Sequence, residues 1–502
     1  MRIEPRAHTD GGLEANEGAD QHARGFGRSP RERVSGGDHA GVGTTCVAPN
    51  AVECFDELDL MAIPGEEVRG GDSGDPSAQD QNSHPLTSGA CGRAYPRLVR
   101  AAHPNASTTP SLEDATMGCK RYRYRCRRGG TVTDTAITFD RILGRRVRLG
   151  SWQDQKISTY RKIHEALDEG AWDEAAKLGS YFIDEANVCF SIYRQWLPDL
   201  SAFLADSGVD QARIRARSER ATELNRLPDG SDWDRNWQWD RFISAMERFT
   251  AAAYREERDL AKELMAAAKE LWRQCHDRDV DHTYALMSLV KEELGEPAIR
   301  AMYDRVLLPL FAWRYEKFDI DKHPWDEGLE ALMLVACEAM RGHLVGPERT
   351  GDFELIETED RFILRFDPCG SGQRTIRGDV IEGTPPRMEP PYGWTVTEEP
   401  HTWNHSTPGV CLYCVHCIVL MEEMPMDRFG YPVRVIDPPT YPDTNASPGE
   451  RQRCQWQMFK DPTQVPAEYY ERVGRIKPKV FGSIAHGAET LDVNVTGYPG
   501  AG

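Results

Sequence analysis

The sequence of 502 residues lacks any apolar run long enough to cross a membrane, since a spanning helix needs about 20 predominantly apolar residues. Its charged start, Met1 to Arg6, lacks the apolar segment of a secretory signal. Positive charge is not in excess either: 61 Lys and Arg stand against 80 Asp and Glu, a formal net charge of -19. These features predict a cytoplasmic protein with no membrane partner. They also argue against nucleic acid as a partner, because a duplex repels an acidic surface.

A regular cysteine framework is also missing. The 13 cysteines are an odd number without repeated spacing across the chain. In a reducing compartment this favours free thiols and metal ligands over disulfides.

Residues 1–135 have few apolar residues in any sustained period and are rich in Gly, Ser, Asp, Arg and Pro. Such a segment cannot bury enough surface to offset the entropy of the chain, so we predict a disordered arm. Met117 is a candidate for the natural start, in which case the arm is an artefact of start-site choice.

Residues 150–345 repeat apolar side chains with a helical period and predict a helical domain, an antiparallel bundle that could also form a homo-oligomer or cover a pocket. Within it, Asp281 is predicted to begin a helix that Gly295 ends. The segment His276 to His282 holds two histidines and three aspartates. We interpret it as a loop with helix caps, with cation binding as the alternative.

Residues 350–480 have a strand-like period and predict an α+β domain, followed by a tail at 481–502. The predicted elements are strands at 353–356 and 362–366, a helix at Cys411–Met424 stopped by Pro425, strands at Tyr431–Ile436 and Cys454–Phe459, and a short helix at Pro466–Val473. The whole chain is thus predicted to be α+β, a helical N-terminal domain followed by an antiparallel sheet covered by a cysteine-bearing helix.

The stretch from His401 to Cys417 contains three histidines and three cysteines, the residue types that Zn²⁺ and iron–sulfur clusters prefer as ligands. The candidate metal ligands are His401, His405, Cys411, Cys414, Cys417 and, from further along the chain, Cys454. The three cysteines, spaced three apart, also suit an iron–sulfur cluster with Cys369 or Cys454 as its fourth ligand. The remaining interpretation is inert thiols on the buried face of a helix, because apolar residues follow directly.

Candidate catalytic residues surround this stretch in the sequence. Glu398 and Glu399 precede it and are suited to shuttling protons from a metal-bound water. Cys369 lies beside two glycines, where a turn can display a nucleophile, a ligand or an oxyanion donor. His343 follows the last predicted helix and is a candidate base.

The segments Gly430–Val435 and Cys454–Met458, which follow the cysteine-bearing helix, are similar to the end of 4-vinyl reductase-type domains. They also resemble the L-2-amino-thiazoline-4-carboxylate hydrolase group, and the resemblance covers about residues 350–475. The first group implies a domain that encloses a small hydrophobic ligand and often a zinc held by cysteines. The second implies a hydrolytic reaction.

Together these features predict a metal-dependent enzyme, with zinc as cofactor. We expect a hydrolase or lyase that acts on a small organic substrate with carboxylate or nitrogen groups. Arg374 or Arg434 would pair with an anionic group of that substrate. The alternatives are a non-catalytic small-molecule-binding module with a structural zinc, and an iron–sulfur redox protein.

Overall fold

A computed structural model describes residues 137–443 and 450–488, all of which belong to one compact unit. The predicted arm, residues 1–135, and the tail beyond residue 488 lie outside the described residues. The described part is rich in helices and contains two small antiparallel sheets, in agreement with the predicted α+β class. None of its helices is long and apolar enough to cross a membrane.

The first half is helical after a short antiparallel hairpin of β1 (Ile137–Asp140) and β2 (Arg145–Arg148). The helices that follow are α1 (Trp152–Gln155), α2 (Thr159–Glu169), α3 (Trp172–Asp206), α4 (Gln211–Leu224), α5 (Arg235–Tyr254), α6 (Arg258–Leu294), α7 (Pro297–Val306), α8 (Leu308–Tyr315) and α9 (Trp325–Gly342). Serine and aspartate cap several of them: Ser158, for example, accepts the backbone N–H of Arg161 at the start of α2.

Helix α6 runs unbroken for 37 residues, so the loop predicted at His276 to His282 is wrong, as is the helix start at Asp281. The charged residues of this stretch are buried and find partners on other elements, so they need no helix end to satisfy them. Gly295 does end the helix, as predicted, with a φ of +84°.

The second half builds a four-stranded antiparallel sheet with short helices around it. Its elements are β3 (Glu354–Glu357), β4 (Arg361–Phe366), α10 (Gly372–Arg377), α11 (Val415–Ile418), α12 (Met424–Phe429), β5 (Val435–Asp437), β6 (Cys454–Phe459), α13 (Ala467–Glu471) and α14 (Ser483–His486). The strand order is β3-β4-β6-β5. Trp456 of β6 pairs with Leu364 of β4 on one side and with Ile436 of β5 on the other.

The cysteine-bearing helix differs from its prediction. Helical turns begin at Val415, pass through a π-helical turn at Val419–Glu423 and continue as α12. Pro425 does not stop the helix: it closely follows the π-helical turn, where the regular ladder of hydrogen bonds from residue i to residue i−4 is already interrupted. The following strand is also shorter than predicted and begins only at Val435.

One hydrophobic core joins the helices to the sheet. Phe242 and Trp272 from the helices belong to the same buried cluster as Leu364 and Met458 from the sheet. Burial of this shared apolar surface is the main force that holds the two halves together.

Candidate ligand cavity

A cavity of about 150 Å³ lies where α3, α8 and α9 face the sheet and the cysteine-bearing turns. A cavity of this size can hold a ligand as large as benzene. Its walls are mainly apolar and aromatic. They include Tyr193, Trp196, Phe311, Tyr413 and Trp456.

Four of the predicted site cysteines line this cavity. Cys369 comes from the loop after β4, Cys414 precedes α11, Cys417 lies within α11 and Cys454 begins β6. All are buried free thiols. Burial, followed by the nearby thiols of Cys369 and Cys417, holds the pKa of Cys454 well above its usual value. Cys411 does not line the cavity and instead hydrogen-bonds to Cys414.

These thiols reach the cavity from separate elements. Within residues 137–443 and 450–488, no three His, Cys, Asp or Glu side chains lie close enough together to hold a single metal ion. A zinc site gathers its sulfur ligands within about 2.3 Å of one ion, and an iron–sulfur cluster is held by four cysteine thiolates. Zinc stays a prediction.

His343, predicted as a base, caps the C-terminal end of α9 and lines the cavity. Its Nδ1 lies 2.8 Å from Nε2 of His276, and Nδ1 of His276 lies 2.9 Å from Oδ1 of Asp277. Burial and the neighbouring His276 hold the pKa of His343 well below its usual value. The sequence indicated His343 but gave no sign of its partner, which lies 67 positions earlier.

Arg434, predicted to bind substrate, also lines the cavity and is only 3% exposed. Its guanidinium stacks 4.8 Å from the ring centre of Trp456, and Nη1 lies 3.5 Å from the sulfur of Met421. Its Nε and Nη2 have no hydrogen-bond partner among the described residues. The indole N–H groups of Trp196 and Trp456 lack one as well. The cavity wall therefore holds several buried donors without acceptors.

Arg374, the other predicted substrate-binding residue, does not line the cavity. It lies in α10 and donates to both carboxylate oxygens of Asp281, at 2.6 and 3.2 Å, and to the carbonyl oxygens of Gly370 and Asp277. Each of its three nitrogens therefore has a partner within the protein.

The predicted proton shuttles, Glu398 and Glu399, lie outside the cavity lining and are 71% and 68% exposed at their side chains. Their backbone N–H groups donate to the carboxylate of Glu296 at 2.8 and 3.1 Å. The same carboxylate lies 3.3 Å from Nε2 of His401, a predicted metal ligand. Glu398, Glu399 and His401 therefore do not line the cavity in which the predicted site cysteines lie.

His405, another predicted metal ligand, does not line the cavity, and its Nε2 lies 3.2 Å from the carboxylate of Glu422.

His416 is part of the cavity wall. Its Nδ1–H donates to the carbonyl of Tyr413, and its Nε2 lies 3.4 Å from the sulfur of Cys417. Burial lowers the pKa of His416 to about 4, so the ring is neutral.

Three half-buried cations complete the wall and were not indicated by the sequence. Arg145 of β2, Arg314 of α8 and Lys317 line the cavity and are partly exposed to solvent. Burial, followed by the charge of Arg145, lowers the pKa of Lys317 to about 8. Arg145 itself pairs with Glu338. Arg145 is far in sequence from Arg314 and Lys317, so no local motif could have joined all three.

No family model matches this chain, and no match was found among curated proteins or solved structures. The resemblance of residues 350–475 to the reductase-type and hydrolase groups stays a prediction. Function is therefore argued from the cavity itself.

Proposed function

We propose that this protein is an enzyme of the hydrolase or lyase class that binds a small organic anion in the cavity and acts on it. The observation that carries the proposal is Arg434, a buried cation in the cavity wall with two nitrogens that lack an acceptor among the described residues.

A buried charge without a counter-charge costs several kcal/mol, and buried guanidinium groups are normally paired. The guanidinium of Arg434 contacts a thioether and an aromatic face, neither of which supplies a negative charge. A carboxylate bound in the cavity would accept its N–H groups and supply the missing negative charge. The free indole N–H groups of Trp196 and Trp456 favour the same kind of ligand, one rich in acceptors.

The volume of the cavity and the charges in its wall limit the kind of ligand that can bind. A volume of about 150 Å³ suits one ring or a branched chain of similar size. The apolar wall suits a hydrocarbon body. Lys317, a half-buried cation of the cavity wall, would attract an anion towards the cavity.

Catalysis is assigned to two groups that line the cavity. His343 is the candidate base. Cys369 is the candidate nucleophile, because its sulfur accepts the backbone N–H of Gln373 at 3.2 Å and the hydroxyl of Ser371 at 3.6 Å, the bonds that a thiolate would accept.

The test is calorimetric titration with a panel of ring-sized carboxylates, such as benzoate, and their neutral amides. We expect the carboxylates to bind and the amides to bind far more weakly. Arg434→Met should weaken carboxylate binding about 30-fold, since a hydrogen bond to a charged group contributes about 2 kcal/mol.

Arg453→Met is the matched control, because Arg453 pairs with Glu354 at the exposed side of the sheet and does not line the cavity. It should leave binding unchanged. The proposal is wrong if no carboxylate in the panel binds, or if Arg434→Met binds them as well as the unaltered protein does.

A second candidate, an iron–sulfur redox protein, is favoured by the four predicted site cysteines that line the cavity. Here Cys369, Cys414, Cys417 and Cys454 would hold a cluster, and its net negative charge would face Arg434. Protein purified without oxygen would then contain iron and acid-labile sulfide in equal amounts, and Cys414→Ala would lower both. Cys275→Ala, which removes a buried thiol elsewhere, is the control.

A further inference from the structure

We infer that His343, His276 and Asp277 form a hydrogen-bonded chain that fixes the tautomer of His343 and presents its unprotonated Nε2 to the cavity as a base. The catalytic use of this chain rests on the proposed function, whereas its geometry can be tested separately.

The positions of the protons in this chain can be derived from the carboxylate of Asp277. Asp277 accepts two N–H groups of Arg349, at 2.7 and 3.0 Å, and one of Arg273 at 3.0 Å. Burial alone would raise its pKa, but Arg349 and Arg374 outweigh burial and hold it well below the usual value. Asp277 is therefore an ionised carboxylate, which can only accept hydrogen bonds.

The charge of Asp277 determines where the protons lie on the two imidazole rings. Because Asp277 can only accept, Nδ1 of His276 must carry a proton. Burial lowers the pKa of His276, so its ring is neutral and Nε2 is an acceptor. Nδ1 of His343, 2.8 Å away, must then be the donor. A neutral His343 with a proton on Nδ1 has its lone pair on Nε2, the nitrogen that a base uses.

Packing holds the chain in place. The indole N–H of Trp272 in α6 donates to the carbonyl of Gly342 at 2.9 Å and so joins the helix of His276 to the helix end of His343. The loop at Gly370 packs against the ring of His276 and the backbone of His343: a Cβ added there would lie 2.8 Å from Cε1 of His276 and 2.5 Å from the carbonyl oxygen of His343. Only glycine allows this approach.

The chain gives His343 a defined step. A proton bound to carbon or oxygen of the ligand moves to Nε2, the bond that it leaves gives its electron pair to the ligand, and an N–H bond forms on His343. The positive charge of the imidazolium is stabilised through Nδ1–H and His276 by the negative charge of Asp277. Asp277 keeps its charge because its arginine partners disfavour protonation.

The test is a long-range ¹H–¹⁵N correlation spectrum of protein labelled with ¹⁵N-histidine, which distinguishes histidine tautomers without any ligand. Loss of one signal set in His343→Gln assigns the residue. We expect His343 to be protonated at Nδ1 and bare at Nε2 at neutral pH. A His343 protonated at Nε2, or at both nitrogens, overturns the inference.

A variant sharpens the result. His276→Phe keeps a ring at this position and the Arg349 pairing of Asp277, but it removes the acceptor of His343. We expect the tautomer ratio of His343 to shift about tenfold towards the Nε2–H form, the effect of one lost hydrogen bond. His282→Phe, a buried histidine in the same helix that bonds instead to the carbonyl of Arg278, should cause no shift.

Failure of this inference differs from failure of the proposed function. If His343 carries its proton on Nε2 while carboxylates bind through Arg434, the hydrogen-bonded chain is wrong and the anion site stands. If the tautomer is as expected but no carboxylate binds, the chain stands and the proposed function falls.

Discussion

Two buried arginines of the same domain have opposite surroundings. Arg374 is 1% exposed and finds an acceptor for each nitrogen, with Asp281 shared between it and Arg387. Arg434 is 3% exposed and has no carboxylate partner among the described residues. Both were candidates for binding an anionic substrate, and the sequence around them does not separate the two.

The comparison distinguishes a buried cation that stabilises the fold from a buried cation that is available to bind a ligand. A guanidinium whose donors are all satisfied within the fold cannot bind a new anion without breaking existing bonds. One whose donors face a cavity gains bonds when an anion enters. Arg374 therefore contributes to the stability of the fold, while Arg434 contributes to recognition at some cost in stability.

The largest expected effect is on folding. Arg374→Met should lower the free energy of unfolding by about 3–5 kcal/mol, because it leaves the buried carboxylate of Asp281 with only Arg387 as a partner. Arg434→Met should leave that free energy unchanged or raise it, because it removes an unpaired buried charge. Urea unfolding of both variants measures the contrast. Equal losses in the two would show that the surroundings do not distinguish them.

A smaller effect concerns pH. Burial would raise the pKa of Asp281, but Arg374 and Arg387 outweigh it and lower the pKa to about 2 from an ordinary 3.8. Since the folded pKa is below the unfolded one, this carboxylate stabilises the fold above about pH 4, and the contribution disappears as pH falls towards 2. The shift corresponds to about 2 kcal/mol.

Asp281→Asn should therefore cost at least this much at neutral pH, and its difference from the unaltered protein should shrink between about pH 4 and pH 2. Unfolding measured across this range provides the test. Asp232→Asn, at an exposed pair with Arg226, should show no such dependence. A constant cost of Asp281→Asn down to pH 2 would contradict the assigned pKa.

Next in size is Gly372, which lines the cavity in the same short helix as Arg374. An added Cβ would lie 2.2 Å from the sulfur of Cys414, so Gly372→Ala should destabilise the protein by about 1–3 kcal/mol through overpacking. Gly328→Ala in α9 meets nothing closer than 3.8 Å and should stabilise by up to about 1 kcal/mol. Thermal unfolding compares them. A neutral Gly372→Ala would mean that the cavity wall is looser than described.

The smallest effect is expected at Glu398 and Glu399. Because their side chains are mostly exposed and lie outside the cavity lining, replacing both with glutamine should change stability by less than about 0.5 kcal/mol and leave carboxylate binding unaltered. Calorimetry with the double variant is the measurement. A marked loss of binding would restore the sequence-based assignment of these residues.

Local patterns predicted much of the fold. The hairpin of β3 and β4 was found because a polar turn at Thr358 to Asp360 separates two apolar runs, and β6 was found from its alternation. The end of α6 at Gly295 was likewise visible. The interior of α6 was not, because three aspartates and two histidines within seven residues indicate solvent or helix ends when their partners are unknown.

Residues that lie far apart in sequence were nevertheless brought to one place. Cys369, Cys414, Cys417, Cys454, His343 and Arg434 were named from the sequence and line one cavity. What could not be predicted is pairing over long sequence distances. The bond between His343 and His276, and the satisfied state of Arg374, depend on how α6 packs against α9 and α10, and no local period encodes that packing.

Helix α10 has only six residues, too few to be stable as an isolated helix. The salt bridge of Arg374 with Asp281 therefore helps to hold it in position, and the same helix places Gly372 against the thiol of Cys414. This arrangement limits how the cavity could be redesigned to bind a larger ligand. Any redesign that displaces residues 371–372 has to preserve the ion pair of Arg374, two to three residues further along, so the wall formed by α3 and α8 is the better place to enlarge the cavity.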